Sequence, residues 1–233
     1  MLASVAVASA LGTTTASAAS SKRLNGVWWT GQQENYWCGY AALRSAVNNE
    51  YQIKNLKSGY RYFWSQKDIA DHMQNNYGMH PYDNYYYDGS CAWYTGSSNT
   101  TDTNQDNYPV GRMLTKITSA FTWVAYGCCT TGNNQLSSSE VKWRLKSTIN
   151  SNHSVLACGR SNSNGSSYMP NYPTGYFEHW IATDGYTNDG DTVCVVDPAA
   201  QGCGGSGFGN VQKYYNVSIK KFTDFAWYHG LIW

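Results

Sequence analysis

Charge of either sign is scarce in this chain: Lys, Arg, Asp and Glu together make up 13% of its 233 residues, about half the usual share. The formal net charge is +1, so no strong field draws nucleic acid or an anionic membrane surface. The surface must be coated instead by Asn, Ser, Thr, Gly, Gln and Tyr, a covering that suits an extracellular protein. No stretch reaches the roughly twenty apolar residues of a membrane-spanning helix. A Cys-x-x-Cys pair is missing, which argues against a zinc ribbon or a thioredoxin-like site. So is a G-x-x-x-x-G-K-[ST] loop, which argues against a nucleotide-driven transporter. Asn188-Asp189-Gly190-Asp191 lacks the further ligands of an EF-hand and reads as a turn. His72 and Asp68 stand four apart on a helix but have no third ligand nearby. No metal or other cofactor is expected.

At this length one domain with a substantial core is the natural expectation. The beginning of the chain is apolar and rich in small residues from Leu2 to Leu11. Ala16-Ser17-Ala18 then offers an A-x-A cleavage site. Residues 1–18 therefore read as a signal peptide without its charged leading region, and residues 19–233 as the mature domain. Secretion and a monomeric state are expected. Seven cysteines are present: Cys38, Cys91, Cys128, Cys129, Cys158, Cys194 and Cys203. An odd number in a secreted chain implies one free thiol. If Cys38 is that thiol, the other six can form three disulfides, in any of about fifteen pairings. Asn99, Asn152, Asn164 and Asn216 each open an Asn-x-Ser/Thr triplet, which matters only in a glycosylating host.

Helical signals come first along the chain. Leu24 to Trp29 reads as an edge strand, and a helix runs from about Cys38 to Asn48. A second helix starts after Ser65, with Ser65 and Asp68 spaced as a capping box and Ile69 and Met73 on its apolar stripe. Tyr77 to Pro109 has no helical period. Its tyrosines either line a substrate cleft or a sugar-binding surface, or pack on the domain in a disulfide-pinned loop, and packing is preferred because aromatics recur throughout the chain. Pro109 suits a first helical turn ahead of Val110, Met113, Leu114 and Ile117. Ser137-x-x-Glu140 opens another helix, with Val141, Leu145 and Ile149 facing inward. From Ser154 the period becomes two. Val155–Cys158 reads as a buried strand, Phe177–Tyr186 and Thr192–Asp197 as a hairpin across Asn188–Gly190, and Tyr214–Phe222 as a last strand. The whole is α+β, helices first and antiparallel sheet after.

The chemistry gathers at Gln32-Gln33-Glu34-Asn35-Tyr36-Trp37-Cys38-Gly39. Here an amide-rich loop runs into a cysteine that opens a helix. The positive end of the helix dipole and the unpaired N–H groups of its first turn favour thiolate over thiol. Gln32, six residues earlier, can set a side-chain N–H beside the Cys38 N–H, the two donors of an oxyanion hole. Gln33 is the fallback donor. Far downstream, Glu178-His179-Trp180-Ile181 supplies a base and Val195-Val196-Asp197-Pro198 a carboxylate to orient it.

This order of Gln32, Trp37-Cys38-Gly39 with Ala41-Ala42 behind, His179 and Asp197-Pro198 resembles the papain-like cysteine peptidases. Within them it is most similar to soluble relatives of the bacteriocin-processing, double-glycine leader peptidases. Tyr40 stands where those relatives usually carry proline. The resemblance implies a papain-like fold. Its N-terminal helical part carries the cysteine helix, and its C-terminal antiparallel sheet carries the histidine and the aspartate. It also implies a cysteine peptidase acting on peptides or proteins, with Cys38, His179, Asp197 and Gln32 as its catalytic set. The same machinery could serve acyl transfer or cell-wall peptide hydrolysis, and a non-catalytic Tyr/Trp-rich binding domain is the other alternative.

The hairpin register tests that set. With a three-residue loop Asn188–Gly190, Thr187 faces Asp191 and Ile181 faces Asp197, so His179 is the diagonal neighbour of Asp197 on one face. A loop one residue different sends the two side chains to opposite faces. The catalytic reading therefore requires the odd-length loop or a bulge.

Overall fold

A computed structural model describes residues 20–35, 37–77, 109–120, 122–123, 125–126, 137–162, 164–227 and 229–233. The expected signal peptide, the tyrosine-rich segment 78–108 and the Cys128-Cys129 loop lie outside the described residues. The elements are β1 (Lys22–Arg23), α1 (Cys38–Gln52), α2 (Gln66–Tyr77), α3 (Pro109–Ile117), β2 (Ala125–Tyr126), α4 (Ser138–Asn150), β3 (Leu156–Arg160), β4 (Glu178–Thr187), β5 (Thr192–Val196), β6 (Tyr214–Ser218), α5 (Ile219–Ala226) and β7 (Gly230–Ile232). The fold is α+β and papain-like. Every strand pairing is antiparallel, in the order β2-β7-β3-β4-β5-β6.

The long strand β4 is the axis of the sheet. Its first half pairs with β3, from Arg160↔Glu178 to Leu156↔Ala182. Where β3 stops, β1 takes over the same edge, with Lys22↔Tyr186 and Arg23↔Gly185. Gly185 is required by that approach, since a Cβ there would lie 2.2 Å from the Lys22 carbonyl oxygen.

Helix α1 packs against β4 and β3 and is buried on nearly all sides. Gly39, Ala41, Ala42 and Ala46 keep its flank thin enough to sit close to the sheet. Its buried polar residues are satisfied by neighbours, as burial demands. The Ser45 hydroxyl donates to the Trp28 carbonyl (2.8 Å), and the Asn49 amide donates to the Asn152 carbonyl (2.7 Å). Glu50 receives the Asn55 amide at 2.7 Å and lies 2.9 Å from His153 Nδ1. One apolar core joins α1, α2, α3 and α4 to the sheet.

The capping box of α2 forms in both directions: the Asp68 N–H donates to Ser65 Oγ (3.0 Å) and the Ser65 N–H to Asp68 Oδ2 (2.7 Å). At α4 only half of the box forms. The Glu140 N–H donates to Ser137 Oγ (3.2 Å), but the Glu140 carboxylate turns away to Arg144 at 2.5 Å. A full guanidinium charge outbids a neutral backbone N–H.

Three sequence expectations need correcting. Leu24–Trp29 is not a strand; only Lys22–Arg23 pairs, and Leu24 contributes one more bond from its N–H to the Asp184 carbonyl (2.6 Å). Tyr214–Phe222 is not one strand either. Strand β6 ends at Ser218, whose hydroxyl accepts the Lys221 N–H, and α5 follows with Phe222, Phe225 and Ala226 buried at helical spacing. Finally, Cys194 and Cys203 carry free thiols, as Cys38 does, so the six remaining cysteines are not all paired into three disulfides.

Candidate active site

Cys38 is the first residue of α1 and is half-buried. No side chain caps this helix: the preceding Trp37 accepts nothing through its ring and instead packs edge-on to Tyr40, 5.7 Å between centroids. The Cys38 sulfur thus sits in the positive end of the helix dipole without a competing capping oxygen.

The loop ahead of it is held from two sides. Fully buried Gln66, on α2, receives the Gln33 N–H (3.1 Å) and donates to the Gly31 carbonyl (2.7 Å). The Gln32 N–H donates to the Pro198 carbonyl (3.0 Å), and Trp29 Nε1 donates to the Asp197 carbonyl (2.7 Å). These last two bonds tie the cysteine loop to the end of the distant hairpin. Gln32 is buried, and its amide nitrogen donates to the carbonyls of Glu34 (3.1 Å) and Asn35 (2.9 Å). Gln33 is exposed.

The hairpin reaches its register by a different route from the expected one. Thr187 pairs with Thr192, so the turn holds four residues, Asn188–Asp191, with Asn188, Asp189 and Gly190 all at positive φ. Lys142 meets Asp191 at 2.8 Å, and Lys146 is paired with Asp189; these carboxylates hold α4 onto the turn. That even-length loop alone would put His179 and Asp197 on opposite faces. The register shifts by one between Thr183 and Gly185, and beyond the shift Ala182 stands opposite Val196. Asp184 is the extra residue of a β-bulge. One step on, Asp197 faces Ile181, and His179 is its diagonal neighbour on the same face.

His179 Nε2 lies 2.9 Å from Asp197 Oδ1. The other ring nitrogen, Nδ1, is therefore the one available to Cys38, which is close enough to hydrogen-bond the ring. Burial opposes a charge on His179, but Asp197 and then Cys38 outweigh it and lift its pKa to about 10. Asp197 is fully buried. Its Oδ1 also accepts the Ala199 N–H (2.9 Å), and its Oδ2 accepts the hydroxyls of Tyr172 and of Tyr215, the latter at 2.7 Å. The rings of Tyr172 and Phe208 stand 5.8 and 6.0 Å from the imidazole.

The structure thus brings Cys38, His179 and Asp197 together, and Gln32 lies on the loop that leads into Cys38. Sequence reading missed Trp29, Tyr172, Phe208 and Tyr215. With twenty tyrosines in the chain, nothing marked those two. Among the described residues no group of three or more His, Cys, Asp or Glu side chains could hold a metal. Asp68 is spent on its cap, and His72 lies edge-on to Trp64 at 5.4 Å and to Tyr60 at 6.1 Å.

A thiol at a helix start, an imidazole from an antiparallel strand and a carboxylate behind it define a papain-like cysteine peptidase. The profile of the Peptidase_C39 like family matches residues 25–227, a span that takes in Gln32, Cys38, His179 and Asp197. The chain belongs to that family and is a cysteine-type peptidase. No curated protein sequence matches it.

Proposed function

We propose that the chain hydrolyses peptide bonds through Cys38, His179 and Asp197. Cys38 attacks the scissile carbonyl carbon as a thiolate, while His179 carries the proton on Nδ1. As the tetrahedral intermediate collapses, the C–N bond breaks and His179 gives that proton to the leaving amine. A thioester remains on Cys38. Water attacks it with His179 as the base, the C–S bond breaks, and the acid is released. Asp197 orients the imidazole and stabilises its cationic form throughout.

The observation that carries this reading is the placement of the His179 ring between the Cys38 thiol and the buried Asp197 carboxylate. Gln32 and the Cys38 N–H are proposed as the oxyanion donors. Gln32 must then release a loop carbonyl, Glu34 or Asn35, as the substrate enters. Losing one such donor costs on the order of 10²–10³ in turnover. The substrate is a peptide or protein, and the leader-like residues 1–18 support action outside the cell. N-terminal sequencing of protein recovered from the medium checks that location.

The deciding experiment is Cys38→Ala assayed on casein and on peptide libraries. Activity should vanish while the circular dichroism spectrum stays the same; activity that survives removes Cys38 as the nucleophile. Adding an excess of a primary amine separates hydrolysis from acyl transfer, since a transferase would divert the thioester into an amide.

A further inference from the structure

Asp197 is held by more than the histidine it faces. It has no exposed surface, and a bare carboxylate there would bear a heavy desolvation cost. Its two oxygens are treated differently. Oδ1 takes His179 Nε2 and the Ala199 N–H, both at 2.9 Å. Oδ2 takes two phenols, Tyr172 from the loop ahead of β4 and Tyr215 from the start of β6. The two hydroxyl oxygens are 3.5 Å apart, so both converge on one oxygen from different elements.

We propose that Tyr172 and Tyr215 are positioning residues of the catalytic site, which anchor the Asp197 carboxylate and turn its Oδ1 toward His179. This rests on the peptidase reading above and deepens it. Each phenol donates to a carboxylate oxygen that burial would otherwise leave without a partner, and a hydrogen bond to a charged acceptor is a strong one. They also fill Oδ2 completely, which leaves Oδ1 as the oxygen that meets the imidazole and fixes the plane of the carboxylate. Burial, followed by the Asp197 charge, pushes both phenols well above their ordinary pKa, so they remain donors through the working range of any peptidase.

Few other charges face Asp197. His179 does so from β4, with Cys38 behind it on α1. Lys213, just before β6, accepts the Asp197 N–H through its carbonyl at 3.0 Å, but its ammonium lies over the Trp29 ring, 4.0 Å from the centroid. Glu178, next to His179 in sequence, is engaged by His229 at 3.0 Å and by the Tyr176 hydroxyl. The two phenols are therefore the groups left to stabilise the second oxygen.

Tyr172→Phe and Tyr215→Phe remove the hydroxyls and keep the rings, that of Tyr172 packed against His179. The pH profile of kcat/KM is read beside the pH profile of Cys38 alkylation by iodoacetamide, which needs no peptide turnover. Each substitution should move the acid limb of both profiles upward by about one pH unit, and the pair by about two, the scale of hydrogen bonds to a charged group. On an Asp197→Asn background the same substitutions should leave the acid limb where Asp197→Asn alone puts it, because no anion remains to stabilise. A role in packing alone would give equal losses on both backgrounds. Each single variant leaves one phenol on Oδ2, so a double variant that unfolds still leaves two that report. Acid limbs unmoved in both single variants, with Cys38→Ala inactive, overturn this inference and spare the peptidase reading. An active Cys38→Ala overturns the reading it rests on.

Discussion

Replacing Asp184 by Asn tests how the bulge residue is held. Its side chain is 8% exposed and lies 3.2 Å from Arg23, which is 46% exposed. Its Oδ1 is buried and has no hydrogen-bond partner among the described residues. Burial raises the Asp184 pKa from 3.8 to about 6 even though the Arg23 charge and a backbone N–H pull it down. The folded pKa lies above the unfolded one, so between those two values the native state holds a proton that the unfolded chain has released. The contribution to stability is complete below the unfolded value and is lost as pH rises through about 6. A rise of about two units at about 1.36 kcal/mol each makes folding with an ionised Asp184 about 3 kcal/mol less favourable than folding with a neutral one, and at pH 7 both states are ionised. Asparagine resembles the neutral acid. Asp184→Asn should therefore unfold about 3 kcal/mol less readily at neutral pH, equivalent to roughly 6–12 °C in Tm for a chain of this size. The advantage should shrink to nothing near the unfolded pKa. Thermal melts of both proteins at several pH values read this directly, because every other titrating group cancels in the difference. A variant less stable than the parent at neutral pH would mean that the Arg23 pair outweighs the burial cost, and the argument fails.

Two shorter predictions concern the site and the sheet. With the His179 pKa near 10, alkylation of Cys38 should hold level from the top of its acid limb until the pH nears that value. A break near the ordinary imidazole value of about 6.5 would refute the pairing with Asp197. The same shift makes the His179 contribution to stability complete below its unfolded pKa and lost as pH climbs through about 10. At Gly159, a Cβ would lie 2.3 Å from the Phe225 carbonyl oxygen and 2.4 Å from its ring. Gly159→Ala should therefore push α5 off β3 and cost about 1–3 kcal/mol; an unchanged melting temperature would show that the helix yields freely.

Cys38 at the head of a helix, the capping serines and the alternation around His179 were legible because each depends on residues a few positions apart. Helix starts, apolar stripes and strand period are local properties of the chain, and they placed the elements of the α+β fold. Where two local signals overlapped, the reading failed. Tyr214–Val217 alternates as a strand should, and Ile219 and Phe222 prolong its apolar character, yet Ser218 caps a helix there. The half-formed box at Glu140 failed for a similar reason, since Arg144 offered a stronger partner one turn on.

The sequence by itself singled out the groups that the structure brings together: one thiol at a helix start, one histidine and one aspartate on neighbouring strands. It even set the condition for their meeting, an odd-length loop or a bulge. Only the tertiary structure decided between those two, because β1 docks where β3 stops and the Leu24 N–H bonds the carbonyl of Asp184, the residue left over in the ladder. It alone tied the cysteine loop to the hairpin, through Trp29 to Asp197 and Gln32 to Pro198. It alone selected Tyr172 and Tyr215 from among twenty tyrosines. A hydrogen bond between groups more than 150 residues apart leaves no periodic trace along the chain, and neither does the closed environment that makes a phenol matter to a buried charge.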